Sequence, residues 1–403
     1  MAGNVTDCFG WKVAWAAFAI AMCAWGIGFY GPSIFLRTLQ EERGWAVSTV
    51  SIAISFHFLF SAVLVTHLPE AQRRLGVARV TQAGIALAAV GVIGWSLAQQ
   101  PWQLFLAALV SGAGWAATSG AAINSMVAPW FDKDRAKALS LAFNGASMGG
   151  VVFVPLWTFM IAELGFSMAA AILGAAMVAI SWLLAARYLT PQPPRRAPEN
   201  VHPRSDRTQH TGTSSRVDLA GDRRFLTISI AFAFGLFAQI GILAHSVTRL
   251  TPELGGNGAA WAVSLITAAA VAGRTVLGWT LRKRSVRIAA AANFLVQACG
   301  SALLVVSHTA PTLLLGCVLF GVGVGNLISL PPIIVQHEFE AADFGRVVAL
   351  ITAVNQLVFA SAPAVLGALR DLSDSYALPF TVAMLIQIAA APVVLSYRPG
   401  RLP

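Results

Sequence analysis

Charge is what this chain has least of. Asp, Glu, Lys and Arg make up 11% of its 403 residues, against about 25% in a soluble domain. At about 150 residues per domain the length alone suggests two or three soluble units, but a water-facing surface this poor in charge would precipitate. Cysteine is scarce too. Cys8, Cys23, Cys299 and Cys317 lie in or beside apolar stretches with no C-x-x-C and no metal-ligand spacing, which excludes a secreted disulfide scaffold and offers no metal site. The 17 Asp and Glu all fall in loops or at the ends of apolar runs. No Ser/His/Asp arrangement and no G-x-x-x-x-G-K-[ST] loop is present. The run Gly321-Val322-Gly323-Val324-Gly325 lacks the strand and the later acidic residue of a dinucleotide fold. No enzyme chemistry, cofactor, metal, nucleic-acid partner or ATP-driven pump is expected.

Apolar residues fill the space that charge leaves, at 57% of the chain. Runs of about 20 recur near 11–36, 48–68, 79–98, 102–127, 138–162 and 167–188, then near 225–250, 260–281, 288–307, 311–336, 346–369 and 376–396. Each is long enough to cross about 30 Å of hydrocarbon as a helix. None alternates as a barrel strand would. The first is too long for a signal-peptide core and is read as a retained helix. The reading is an all-α membrane protein with twelve spans in a multi-pass arrangement, in a plasma or bacterial inner membrane. Residues 190–224 hold five Pro and seven Arg with no period, as a flexible basic linker does. They divide the chain into a six-helix bundle over 1–189 and another over 225–403.

With the N-terminus in the cytoplasm, the cytoplasmic side holds 22 Lys and Arg against 4 on the outer side, with Arg274 left inside a span. Both termini are therefore placed inside. The halves repeat each other. Trp45-Ala46-Val47-Ser48 reappears as Trp261-Ala262-Val263-Ser264, the R-x-x-A-L of Arg135 reappears at Arg346, and Arg73-Arg74 is matched by Arg282-Lys283, at offsets of 216, 211 and 209. Repeated six-helix units are a known way to build a transporter with its site between the halves.

At this point the chain resembles the major facilitator superfamily over its whole length. Within it the residues look most like the monocarboxylate porter group and its bacterial relatives, which include oxalate–formate exchangers. Trp130-Phe131 followed by Arg135 and Ala138-Leu139 is similar to that group's W-F-x-x-x-R-x-x-A element. Gly273-Arg274 with Gly278 resembles its eighth-helix G-R-x-x-x-G. Phe344-Gly345-Arg346, Leu366-Gly367, Asp371 and Ser375-Tyr376 resemble its eleventh-helix pattern. The superfamily's G-x-L-x-D-R-x-G loop is altered in both halves, with Arg73 and Arg282 standing at the Asp position. The usual latch is therefore in question, and Glu70 is its one nearby substitute. Gating-loop roles fall to Arg73, Arg74, Arg135, Arg282, Lys283 and Arg346.

One permanent charge remains within the bilayer. Arg274 lies about 14 residues, roughly 21 Å, into the eighth span. An ionised side chain at that depth costs at least about 2.5–3.5 kcal/mol, so it should face a cavity and find an anion. Its planar fork matches a carboxylate bidentately. The competing structural reading is an arginine that snorkels or caps helix carbonyls. His57 and His245 are proton-coupling candidates. His57 fits a neutral histidine bonded to a neighbouring helix better, and His245 fits either role. Tyr30, Gln239, Asn355 and Gln356 are raised as substrate contacts from the polar residues inside spans. Thr118, Ser119, Asn124, Asn144 and Asn326 fit helix-to-helix bonding. Gly145 and Gly149 form a close-packing G-x-x-x-G, and breaks are expected at Pro32 and at Pro331-Pro332.

Together these readings imply a secondary transporter of a small organic anion, a monocarboxylate by resemblance, working as a monomer by alternating access with proton symport. A drug or toxic-compound exporter on the same fold, or a non-transporting membrane sensor, are the rivals.

Overall fold

The computed structural model describes residues 2–131, 134–191, 221–280, 285–340 and 343–397. Most of the basic linker, with Arg282 and Lys283, lies outside them. Every regular element among the described residues is a helix, as expected where backbone groups must be satisfied within their own segment.

Eleven helical stretches among the described residues are long and apolar enough to span a bilayer. One of them, Arg223–Leu277, has 55 residues, roughly 80 Å of helix at 1.5 Å per residue. That is more than two bilayer cores, and the chain turns within it at Gly255, whose φ of 70° suits only glycine without strain. It therefore counts twice, giving twelve crossings. In chain order they are Phe9–Arg43, Val47–Val65, Val77–Leu97, Pro101–Trp130, Lys137–Leu164, Phe166–Leu189, the two arms of Arg223–Leu277, Val286–Val306, Ala310–Glu338, Phe344–Ser373 and Ala377–Leu395. Gly44, Gly165, Gly255 and Asp374 mark one end of the bundle, called here the turn end. Phe9 and Leu395 lie at the other, the terminal end.

Four crossings are broken near mid-depth. Crossing one breaks between Gly28 and Gly31, just ahead of Pro32, where the sequence predicts it. Crossings four and eleven break at Ala117–Ser119 and Ser361. Crossing ten breaks at Gly325 and not at Pro331-Pro332, which sit inside the following helix Asn326–Glu338. The break falls where the glycine run ends, and its freed carbonyl is taken up by other side chains: Ser329 Oγ donates to the Gly325 carbonyl at 3.3 Å.

Glycine contacts give the register of the internal repeat. A methyl on Gly112 would strike the His57 carbonyl, and one on Gly321 the Ile266 carbonyl. The same correspondence links Gly114–Ala88 with Gly323–Gln297, Gly91–Ser111 with Gly300–Phe320, and Gly94–Ala107 with Leu303–Gly316. In every case the second residue follows the first by 209 positions. The W-A-V-S match at 216 is seven residues off this register, about two helical turns. It is not the structural equivalence that the sequence suggests.

One continuous apolar core joins both halves at the turn end, from Leu36 and Val50 to Val247, Val263 and Leu366. At the terminal end the second half has a core of its own, built on Phe232, Phe294, Leu330 and Ile351, which takes in nothing from the first half. The halves therefore close on each other at the turn end and part toward the terminal end.

Candidate functional site

Arg274 sits where the halves begin to part. Its Nη1 donates to Oδ1 of Asn144 on crossing five at 3.1 Å, and its Nε donates to the Gly325 carbonyl at 3.4 Å. The guanidinium thus bridges the first half to the break in the second. The local sequence explains its place. A methyl on Gly273 would run into the Val322 carbonyl, so the missing side chain lets crossing eight lie against crossing ten. That contact carries the next residue, Arg274, onto Gly325. Across the seam Gly145 packs its bare face on the Phe18 carbonyl, which sets the depth of Asn144 beside it. Both partners of Arg274 are neutral, and no carboxylate pairs with it among the described residues. Its repeat counterpart, 209 positions earlier, is Val65, so the charge belongs to one half alone.

Tyr30 stands at the break of crossing one with its ring against Gly150, within electrostatic reach of Arg274. Aromatic rings continue from it. Phe29 lies 5.0 Å from Tyr30 and 6.0 Å from Trp115, Trp115 is 4.7 Å from Trp25, and Trp25 is 6.5 Å from Phe143 (ring centroids). Phe58 meets Phe359 of the other half at 6.2 Å. The site therefore combines one cation, neutral hydrogen-bonding groups and an aromatic wall. Such a combination can hold an anionic head with an apolar body.

The other sequence candidates do not gather here. His245 is fully buried on crossing seven toward the turn end, bonded through Nε2 to the Pro363 carbonyl at 3.1 Å, with Nδ1 unmatched. Tyr376 lies 5.7 Å from its ring. Burial pushes the Tyr376 phenol above its ordinary range, which leaves it a neutral neighbour. Gln239 accepts from Gln297 at 2.8 Å at the head of a polar chain that runs on to Gln387 and Ser301, inside the second half. Asn355 is buried with Oδ1 unmatched, and Gln356 beside it is half-buried. His57 is inside the first half. Its Nδ1 shares a 2.8 Å bond with the Ser111 hydroxyl, which also accepts from Trp95 at 3.1 Å.

Of the gating-loop residues, Arg73 and Arg74 both pair with Glu70, and Arg135 donates to the Phe131 carbonyl at 3.2 Å. Arg346 is also engaged. Arg287, one of the 22 cations assigned by sequence to the cytoplasmic side, is buried. It pairs with Glu338 at 2.6 and 2.8 Å and donates to the Val394 carbonyl. Asn144 is among the residues expected to bond helix to helix, and its pairing with Arg274 emerges only from the packed helices. A polar residue next to a packing glycine was the available signal.

A family model described as Major Facilitator Superfamily matches residues 15–363. A transporter named MFS-type transporter 1 from Ophiocordyceps sp. (strain BCC 1869) is 24% identical over 83% of this chain and 73% of its own. The Aspyridones efflux protein apdF of Emericella nidulans is 30% identical over 41% of this chain and 34% of its own. Among solved structures, a mutant form of the nucleoside transporter NupG superposes with a TM-score of 0.75 at 14% identity, covering 96% of this chain and 99% of that one. A bacterial homolog of the human lysosomal transporter Spinster, inward-facing and occupied, gives 0.75 at 13%, covering 95% of each.

Proposed function

The chain belongs to the major facilitator superfamily, and from that premise we propose that it carries a small organic anion by alternating access, with Arg274 as the anchor. It is a multi-pass membrane transporter of a small molecule, not an enzyme. The observation that carries the anion reading is the guanidinium held between the halves by neutral acceptors only. Its Nη2 hydrogens meet no acceptor among the described residues. Asn144 and Gly325 orient the fork but do not cancel its charge. A carboxylate from the cargo supplies the counterion that burial calls for. Tyr30 closes the site from the turn end.

Proton symport is part of the proposal, with His245 as the proton-linked group. His245 stands apart from Arg274, so it acts through the closing of the turn end and not by touching cargo. The excess of loop arginines and lysines at the terminal end supports termini in the cytoplasm, with the open end of the seam facing it. The test is uptake of labelled monocarboxylates into proteoliposomes. Arg274→Ala should abolish uptake and Arg274→Lys should reduce it strongly. Transport at the parent's rate by both variants sinks the anchor.

Export of an amphipathic compound is the second reading. The aromatic wall of Phe29, Trp115, Trp25 and Phe143 favours it. Competition by simple carboxylates separates the two: it slows flux under the first reading and leaves it unchanged under the second.

A further inference from the structure

Crossing two begins without a cap of its own. Its helix Val47–Val65 has Ala46 at the N-cap position, with no side-chain acceptor for the N–H groups of the first turn. The acceptor comes from the other half. Asp371, on crossing eleven, takes the backbone N–H of Ser48 on Oδ2 at 2.7 Å, while its Oδ1 accepts from Arg370 at 3.1 Å. The same two helices meet twice more below this bond. Ser51 lies directly against Gly367, and the Ala364 N–H donates to Ser55 Oγ at 3.0 Å. Ser48, Ser51 and Ser55 therefore form one stripe at helical spacing, and Asp371, Gly367 and Ala364 form the stripe that faces it.

The other seam between the halves has a related contact. Ser264, 209 positions after Ser55, donates to the Val151 carbonyl of crossing five at 3.2 Å. That contact is neutral. The contact between crossings two and eleven carries a carboxylate, Asp371, whose side chain is 24% exposed at the rim of the turn end.

We propose that Asp371 is the latch of the turn end: a helix cap supplied across the seam, made while that end is shut and broken when it opens. Three features suit it to the task. A carboxylate at a helix N-terminus satisfies an orphan donor and interacts favourably with the helix dipole. The bond joins the two moving bodies and lies within neither. Its position at the rim lets water replace both partners when the halves separate. The loop motifs at the terminal end have arginine where a latching Asp is expected. The acidic latch on the described contacts is at the opposite end. This inference rests on the alternating-access reading and not on what Arg274 binds.

The test is a distance measurement on the full chain in lipid nanodiscs. All four native cysteines are replaced by serine, and spin labels are placed at Trp102→Cys and Ala310→Cys, at the turn end of each half. The parent should populate mainly the short distance. Asp371→Ala should move the closed-to-open ratio about fivefold toward open, the usual size of a lost cap, with Asp371→Asn falling between. Ser48→Pro removes the donor and leaves Asp371 intact, and proline is tolerated in a first helical turn. It should give the same shift. Arg370→Ala should leave the ratio near the parent's. If Asp371→Ala or Ser48→Pro superimposes on the parent, the latch is wrong. No cargo is needed, so failure here leaves the Arg274 reading standing, and failure of anion uptake leaves the latch standing.

Discussion

Asn144 and Gly325 hold Arg274 through oxygen dipoles, and a dipole does not neutralise a charge. At this depth an unpaired cation is costly and persists where a function requires it. The arrangement yields a sharp expectation for Asn144. Asn144→Asp places a permanent counterion 3.1 Å from Nη1 with almost no change of shape. The internal ion pair should compete with a cargo carboxylate, and labelled-anion uptake should fall at least about tenfold, the factor that 1.4 kcal/mol produces. Asn144→Ala should keep the charge free and retain most uptake. The contrast between the two variants separates an occupied anchor from a lost hydrogen bond.

Helices in lipid gain no hydrophobic drive from meeting each other, so close approach at glycines carries much of their association. Gly321 lies against the Ile266 carbonyl and Gly145 against the Phe18 carbonyl, whereas a side chain at Gly345 would meet open space. Gly321→Val and Gly145→Val should each destabilise the detergent-solubilised protein by about 1–3 kcal/mol, the usual cost of overpacking, while Gly345→Ala should be close to neutral. Thermal unfolding followed by tryptophan fluorescence reads the difference. The second half also depends on a buried ion pair. Arg287 and Glu338 are 3% and 6% exposed, and Arg287 further donates to Thr227 and Val394, tying crossings seven, nine, ten and twelve together near the terminal end. Arg287→Met alone strands a carboxylate and should cost about 3–5 kcal/mol. Adding Glu338→Leu removes the stranded charge and should recover most of that loss.

Across the molecule, the halves share a core at the turn end and separate toward the terminal end. Transport by rocking requires this seam to open on each cycle. Ser51 and Gly367 face each other in it. A Ser51→Cys/Gly367→Cys pair in a background without the native cysteines should therefore form a disulfide under mild oxidation and arrest flux. Reductant should restore transport. The Gly94→Cys/Ala107→Cys pair, which joins crossings three and four within the first half, should leave transport running when oxidised. Equal flux before and after oxidation of the first pair would mean that this seam stays closed throughout transport.

The helical class, the twelve passages and the kinship of the halves were legible in the chain itself. Hydrophobic length and the scarcity of charge are properties of each segment, and a bilayer imposes the same requirement on every segment alone. The isolation of Arg274 was legible for the same reason, since depth along a span can be counted. Partners could not be counted. Asn144 is 130 residues from Arg274, and Ser48 is 323 from Asp371. Whether Gln239 meets a substrate or Gln297, and whether His57 faces a path or Ser111, depends on how each helix is rotated. Carbonyl-to-glycine contacts set that rotation, and they exist only once the helices have packed. The same contacts single out 209 among the offsets of 216, 211 and 209, because a four-residue match is satisfied by chance more easily than four interlocking contacts.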